Sequence, residues 1–137
     1  MFRGTGTAAV TPFRNGSVDF EAFGKFLNWP IDSGVEFLVI LGTTGEAATM
    51  TADARREVIS FAVKTTGKRV PVVIGTGSNS TAATIDLSKA AFALGADGVL
   101  VVTPYYNKPT QEGLFRHYKA VAEAIPGPLV IYNVPGR

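Results

Sequence analysis

Five short runs rich in β-branched and apolar residues, the first four each followed by a longer stretch with helical spacing, constrain this chain more than anything else in it. Thr5–Val10 reads as the first strand and stops at Thr11-Pro12. Asn15-Gly16 is a turn signal. Phe20, Phe23, Phe26 and Leu27 then recur at helical intervals, which predicts a helix from about Asp19 to Ser33 closed by Gly34. Pro30 falls inside that pattern. Its missing N–H and its ring clash predict a kink or an early end near Trp29. Phe37–Leu41, FLVIL, is continuously apolar, as expected of a strand covered on both faces.

The pattern then repeats. A second helix is expected over Thr51 to Lys64, with Val58, Ile59 and Phe61–Val63 on its apolar side and Gly67 after it. The third strand is Val70–Ile74, followed by GTGSNS. Ser80 is placed to cap a third helix carrying Ile85, Leu87, Ala91 and Leu94, and Gly95 follows it. Val99–Val102 is the fourth strand. Thr110 is placed to cap a fourth helix that runs to about Ala124. Leu129–Tyr132 is the fifth strand, and NVPGR ends the 137 residues. Strand alternating with helix implies parallel strands and right-handed crossovers. An open doubly wound sheet and part of a (βα)8 barrel both satisfy this order, and composition does not separate them.

Composition narrows the classes of function. Lys and Arg number 13 against 11 Asp and Glu, and Arg55–Arg56 and Lys68–Arg69 are the densest basic pairs, read here as solvated positions. No basic stripe suits nucleic acid. Cysteine is absent and His117 is the only histidine, so thiolate and polyhistidine metal sites are excluded. The N-terminal residues MFRGTGTAAVTPF lack the long apolar region of a signal peptide, and no apolar run approaches the roughly 20 residues of a membrane span. A cytoplasmic protein is expected.

In parallel α/β proteins ligands bind beyond the carboxyl ends of the strands, so the residues leaving each strand carry the chemistry. Gly42–Glu46, GTTGE, offers flexible backbone, two hydroxyls and successive amides that could cradle a carboxylate. It lacks the Gly-Lys-Ser/Thr ending of a phosphate loop, and GTGSNS lacks the glycine spacing of a dinucleotide fingerprint. A plain strand-to-helix turn remains the simpler reading of GTTGE alone. Tyr105, Tyr106 and Tyr132 are phenols that donate and accept hydrogen bonds, suited to proton transfer near a carbonyl, or simply to packing at a rim. Arg137 offers a fork for a carboxylate, or a solvated end. Glu46 is read as favourable at the start of the second helix. His117, between Phe115 and Tyr118, is read as packing or surface.

Taken in order, GTTGE, TPYYNKPTQEGL and YNVPGR, with GTGTAAVTPF and VIGTGSNST, resemble the dihydrodipicolinate synthase family, which belongs to the pyruvate-dependent aldolases together with N-acetylneuraminate lyase. The resemblance runs over the whole chain. It implies the N-terminal half of a (βα)8 TIM barrel, about four and a half βα units over residues 1–137. It also implies a lyase that condenses pyruvate with aspartate semialdehyde in lysine biosynthesis, without metal or organic cofactor. Thr43 and Thr44 match the pair that lies against pyruvate. Thr43, Tyr132 and Tyr106 match a proton relay, with Tyr106 coming from a neighbouring subunit of a homo-oligomer. Arg137 matches the residue that takes the semialdehyde carboxylate. The arginine after Pro-Gly favours the synthase over a related aldolase of the N-acetylneuraminate lyase type.

Two departures stand out. The family's Schiff-base lysine is on a sixth strand, whereas this sequence stops after the fifth, and a barrel takes about 250 residues. These residues alone are therefore expected to lack normal synthase activity, and a non-catalytic or engineered half-barrel is the alternative reading. Tyr105 and Asn79 match the family's lysine-inhibitor pocket, but Ala83 stands where an acid is expected. Weak feedback by lysine follows.

Overall fold

The computed structural model describes residues 2–135. Its elements run β1 (Gly6–Ala8), β2 (Phe13–Arg14), β3 (Ser17–Val18), α1 (Phe20–Asp32), β4 (Phe37–Ile40), α2 (Ala52–Thr66), β5 (Val72–Gly75), α3 (Thr81–Ala93), β6 (Gly98–Val102), α4 (Gln111–Ala124) and β7 (Leu129–Tyr132). The main sheet has the order β1-β4-β5-β6-β7 and every pairing in it is parallel. Spatial order therefore follows chain order without a reversal. A doubly wound sheet turns back at a switch point, so that alternative is excluded and the curled half-barrel stands.

Alternation along the strands separates two faces. Leu38, Ile40, Val72, Ile74, Val99 and Val101 are buried and pack with Phe23 and Leu27 of α1, Val58 and Ala62 of α2 and Val121 of α4 in one core. The other set lines a concave apolar space of about 420 Å³ that includes Val39, Val73, Leu100 and Val130. Phe2 and Phe37 fill its amino end, their ring centroids 5.7 Å apart. Gly6 and Gly98 make room for those rings, since an added Cβ would lie 2.1 Å from Phe37 and 2.6 Å from Phe2. Phe37 and Val39 are consequently only half-buried, against the expectation that FLVIL is covered on both faces. Ile131, on the helix-facing side of β7, is 58% exposed because no described helix covers it.

The helices start close to where the spacing predicted, with Ser80 and Thr110 capping as expected. Asp19, Thr51, Ser80 and Thr110 each accept a hydrogen bond from an amide three residues on. Pro30 neither ends nor shortens α1, which continues to Asp32 with Pro30 buried. It has no N–H to give the Phe26 carbonyl, yet it is buried, and Ser33, Gly34 and Val35 donate to the carbonyls of Trp29, Ile31 and Pro30 as the helix closes. Asn15-Gly16 does more than turn the chain: it closes a hairpin in which Phe13 pairs with Val18. β1 is shorter than Thr5–Val10. Glu46 does not cap α2; that role belongs to Thr51, five residues later.

His117 is buried between α3 and α4, with Nδ1 2.9 Å from Thr81 Oγ1 and Nε2 without a partner. Burial holds its pKa below the ordinary 6.5. As pH falls, the unfolded chain takes up this proton before the folded chain does. The contribution of a neutral His117 is therefore whole above the unfolded value and is lost as pH falls through the depressed folded value. Denaturant unfolding followed from about pH 7.5 down to about pH 5 should show a loss of stability that His117→Asn reduces. An unchanged pH slope in that variant would contradict the assignment.

Candidate active site

The site begins with the β4–α2 connection. Leu41 and Glu46 both have left-handed backbone, with φ of 57° and 56°, and between them Thr43–Gly45 forms a single 3-10 turn. Gly45 N donates to Gly42 O at 3.0 Å and Glu46 N to Thr43 O at 3.1 Å. Those two amides are used by the turn itself. Its first amides, those of Thr43 and Thr44, have no acceptor within it. From below, Thr11 Oγ1 donates to Gly45 O at 2.8 Å.

The next connections come close to this turn through glycine. A Cβ on Gly75 would lie 2.1 Å from Leu41 O, and one on Gly77 would lie 2.5 Å from Val102 N. Thr76 between them is buried, its Oγ1 2.8 Å from Ser88 Oγ of α3. After β6, Thr103 N donates to Tyr132 O at 2.9 Å, which ties the ends of β6 and β7. Tyr106 follows with φ of 70°, a strained value for an aromatic residue. Asn107 Nδ2 donates to Asn79 O at 3.1 Å and joins this loop to the one before α3.

These connections enclose a cavity of about 430 Å³ at the carboxyl ends of the strands, and Thr43, Thr103, Tyr105 and Tyr132 line it. Thr43 and Tyr132 are thus brought together. Thr44 is exposed and is not among the lining residues. Tyr106 leaves the same rim but is 93% exposed and does not line the cavity. Arg137 lies outside the described residues.

Arg55 and Arg56 of α2 and Asp86 of α3 also line the cavity, where the sequence had not placed them. The reading of Arg55 as solvated is corrected, since it is half-buried and its Nε is buried without a partner. Its spacing of four residues before Ile59 on α2 was the available signal, because both then fall on one helical face. Among the described residues no group of three or more His, Cys, Asp or Glu could hold a metal ion. No helix among the described residues is long and apolar enough to cross a membrane.

A singly wound parallel sheet with its polar loops gathered at one rim defines the N-terminal half of a (βα)8 barrel. The chain belongs to the dihydrodipicolinate synthetase family, whose model matches residues 1–137. It is 65% identical over 137 residues to the 4-hydroxy-tetrahydrodipicolinate synthase of Kosmotoga olearia, covering 100% of this chain and 47% of that protein. The structure matches dihydrodipicolinate synthase from Thermotoga maritima with a TM-score of 0.98 at 51% identity, over 100% of this chain and 46% of that one. It also matches the chloride-inhibited synthase of Acinetobacter baumannii complexed with pyruvate, with a TM-score of 0.97 at 50% identity and 47% of that chain covered. The chain spans about half the length of the curated relatives it matches.

The glycine contacts give a direct test of this packing. Gly75→Ala must push its new carbon into the Leu41 carbonyl and should lower stability by on the order of 1–3 kcal/mol. Gly42→Ala meets Val39 Cγ1 at 3.6 Å and Leu100 Cδ2 at 4.0 Å, both ordinary contacts, and should cost less. Thermal unfolding of the two variants side by side decides it, and equal losses would contradict the close approach.

Proposed function

We propose that these residues form the pyruvate-receiving half of a dihydrodipicolinate synthase, a lyase of lysine biosynthesis that condenses pyruvate with aspartate semialdehyde. The observation that carries this reading is the shared cavity of Thr43 and Tyr132, in a family with a relative of known structure that holds pyruvate.

The chemistry follows from the groups available. The Thr43–Thr44 amides and hydroxyls receive the pyruvate carboxylate, an anion suited to several converging donors. Tyr132 and Thr43 pass protons while an amine replaces the keto oxygen of pyruvate, which leaves as water. The resulting imine loses a methyl proton to become an enamine, and the enamine carbon attacks the aldehyde of the second substrate. Tyr106 completes the relay in a second copy of the chain, and its exposure on a strained backbone supports that role. Arg137 takes the carboxylate of the semialdehyde. A cytoplasmic homo-oligomer using small-molecule substrates, without cofactor, fits this scheme.

The amine is not among these residues. Lys25, Lys64, Lys89 and Lys119 are exposed on helices, Lys68 and Lys108 are exposed in loops, and none of the six lines the cavity. Borohydride treatment of the 137-residue chain with pyruvate should therefore leave its intact mass unchanged, and a stoichiometric adduct would contradict this. Pyruvate should still bind without covalent attachment. Thr43→Val should weaken that binding about tenfold in calorimetric titration, which is the worth of a hydrogen bond to a charged group. Equal affinity in the variant would count against the cradle. Sedimentation should show a homo-oligomer, and a monodisperse monomer would contradict the shared relay.

A further inference from the structure

We propose that Thr11 is a positioning residue for the Thr43–Thr44 turn, and that its hydroxyl holds that turn in the shape that receives a keto-acid carboxylate. The proposal rests on the functional reading above and extends it to a residue outside the cavity.

The turn needs an external hold. It is bracketed by two non-glycine residues in left-handed backbone, Leu41 and Glu46, a conformation that side chains with a Cβ disfavour. Within the turn there are only two main-chain bonds, to Gly42 O and Thr43 O. Thr43 and Thr44 themselves are exposed, so packing of their own side chains does not fix them. Gly45, by contrast, is buried, and its carbonyl accepts the Thr11 hydroxyl at 2.8 Å across 34 residues of sequence.

Thr11 is well placed to give that hold. It is 4% exposed, so its hydroxyl has little water to turn to. It precedes Pro12, which restricts its backbone to extended conformations. The strand before it is anchored, since Ala9 N donates to Val39 O at 2.9 Å. Ala9 and Thr11 together form the floor of the turn, because a Cβ on Gly45 would lie 3.2 Å from Ala9 O and 3.5 Å from Thr11 Oγ1. The Thr11 hydroxyl thus ties the end of the first strand segment to the Thr43–Thr44 turn by a hydrogen bond. Losing the hydroxyl leaves a buried carbonyl unpaired, and the cheapest relief is for the turn to open toward solvent.

Thr11→Val, Thr11→Ser and the core control Val58→Ala separate this role from general stability. Amide exchange at Gly45 and Glu46 should be about tenfold faster in Thr11→Val, with core amides of β5 changed in proportion to global stability only. In Thr11→Ser, which keeps the donor, exchange should stay within about twofold of the parent chain. Pyruvate titration read at the Thr43 and Thr44 amides should shift to about tenfold weaker affinity in Thr11→Val and stay unchanged in Thr11→Ser and Val58→Ala. Equal turn exchange in Thr11→Val and the parent overturns the proposal, as does an equal loss of pyruvate affinity in Val58→Ala. Where Thr11→Val does not fold, Thr11→Ser decides: turn exchange or affinity shifted about tenfold there overturns it. A parent chain without any pyruvate response, but with the exchange difference intact, strikes the functional reading and spares the positioning role.

Discussion

The ladder of main-chain hydrogen bonds among five parallel strands is the constraint on which everything else here depends. Parallel pairing puts every carboxyl end on the same rim, so loops far apart in sequence meet there whatever their residues. The registers Leu38↔Val72, Ile74↔Val99 and Val102↔Tyr132 also decide which side chains face the helices and which face the concave side. A slip of one residue would exchange the two sets. It would turn Tyr132 away from Thr43 and bring apolar residues of the helix face into the cavity.

The concave side explains much of the residue choice. Inward positions include both glycine and larger apolar residues, with Gly6, Gly75 and Gly98 admitting Phe37, the Leu41 backbone and Phe2. These glycines serve close approach and not turns, since none of the three has positive φ. The same face remains open over about 420 Å³, and β1 and β7 end the sheet with unpaired edges among the described residues. Such edges and apolar surface favour association. The match to about half of each relative's length fits this geometry.

Much of this was legible in the sequence because the periods are clean. FLVIL and VLVV read as strands, and Ser80 and Thr110 mark helix starts by their capping chemistry. What escaped was tertiary. Pro30 is held inside α1 while buried, a tertiary fact that local pattern could not supply. Arg55 looked solvated because its pairing with Arg56 suggested surface, whereas the cavity between α2 and α3 appears only once both helices lie against the sheet. The rim motifs pointed to Thr43 and Tyr132, which share the cavity, and to Thr44 and Tyr106, which do not line it. Thr11 was read only as the end of the first strand within GTGTAAVTPF, since its importance lies in a contact 34 residues away.

The central claim is that rim loops from separate strands converge on a space that takes a small keto acid between Thr43 and Tyr132. A crystal of the chain soaked in pyruvate examines that claim most directly. The account predicts density for one pyruvate in the cavity, its carboxylate toward the Thr43–Thr44 turn and its keto oxygen toward Tyr132. Pyruvate bound elsewhere with this cavity empty, or a turn whose amides face away from it, would contradict the account.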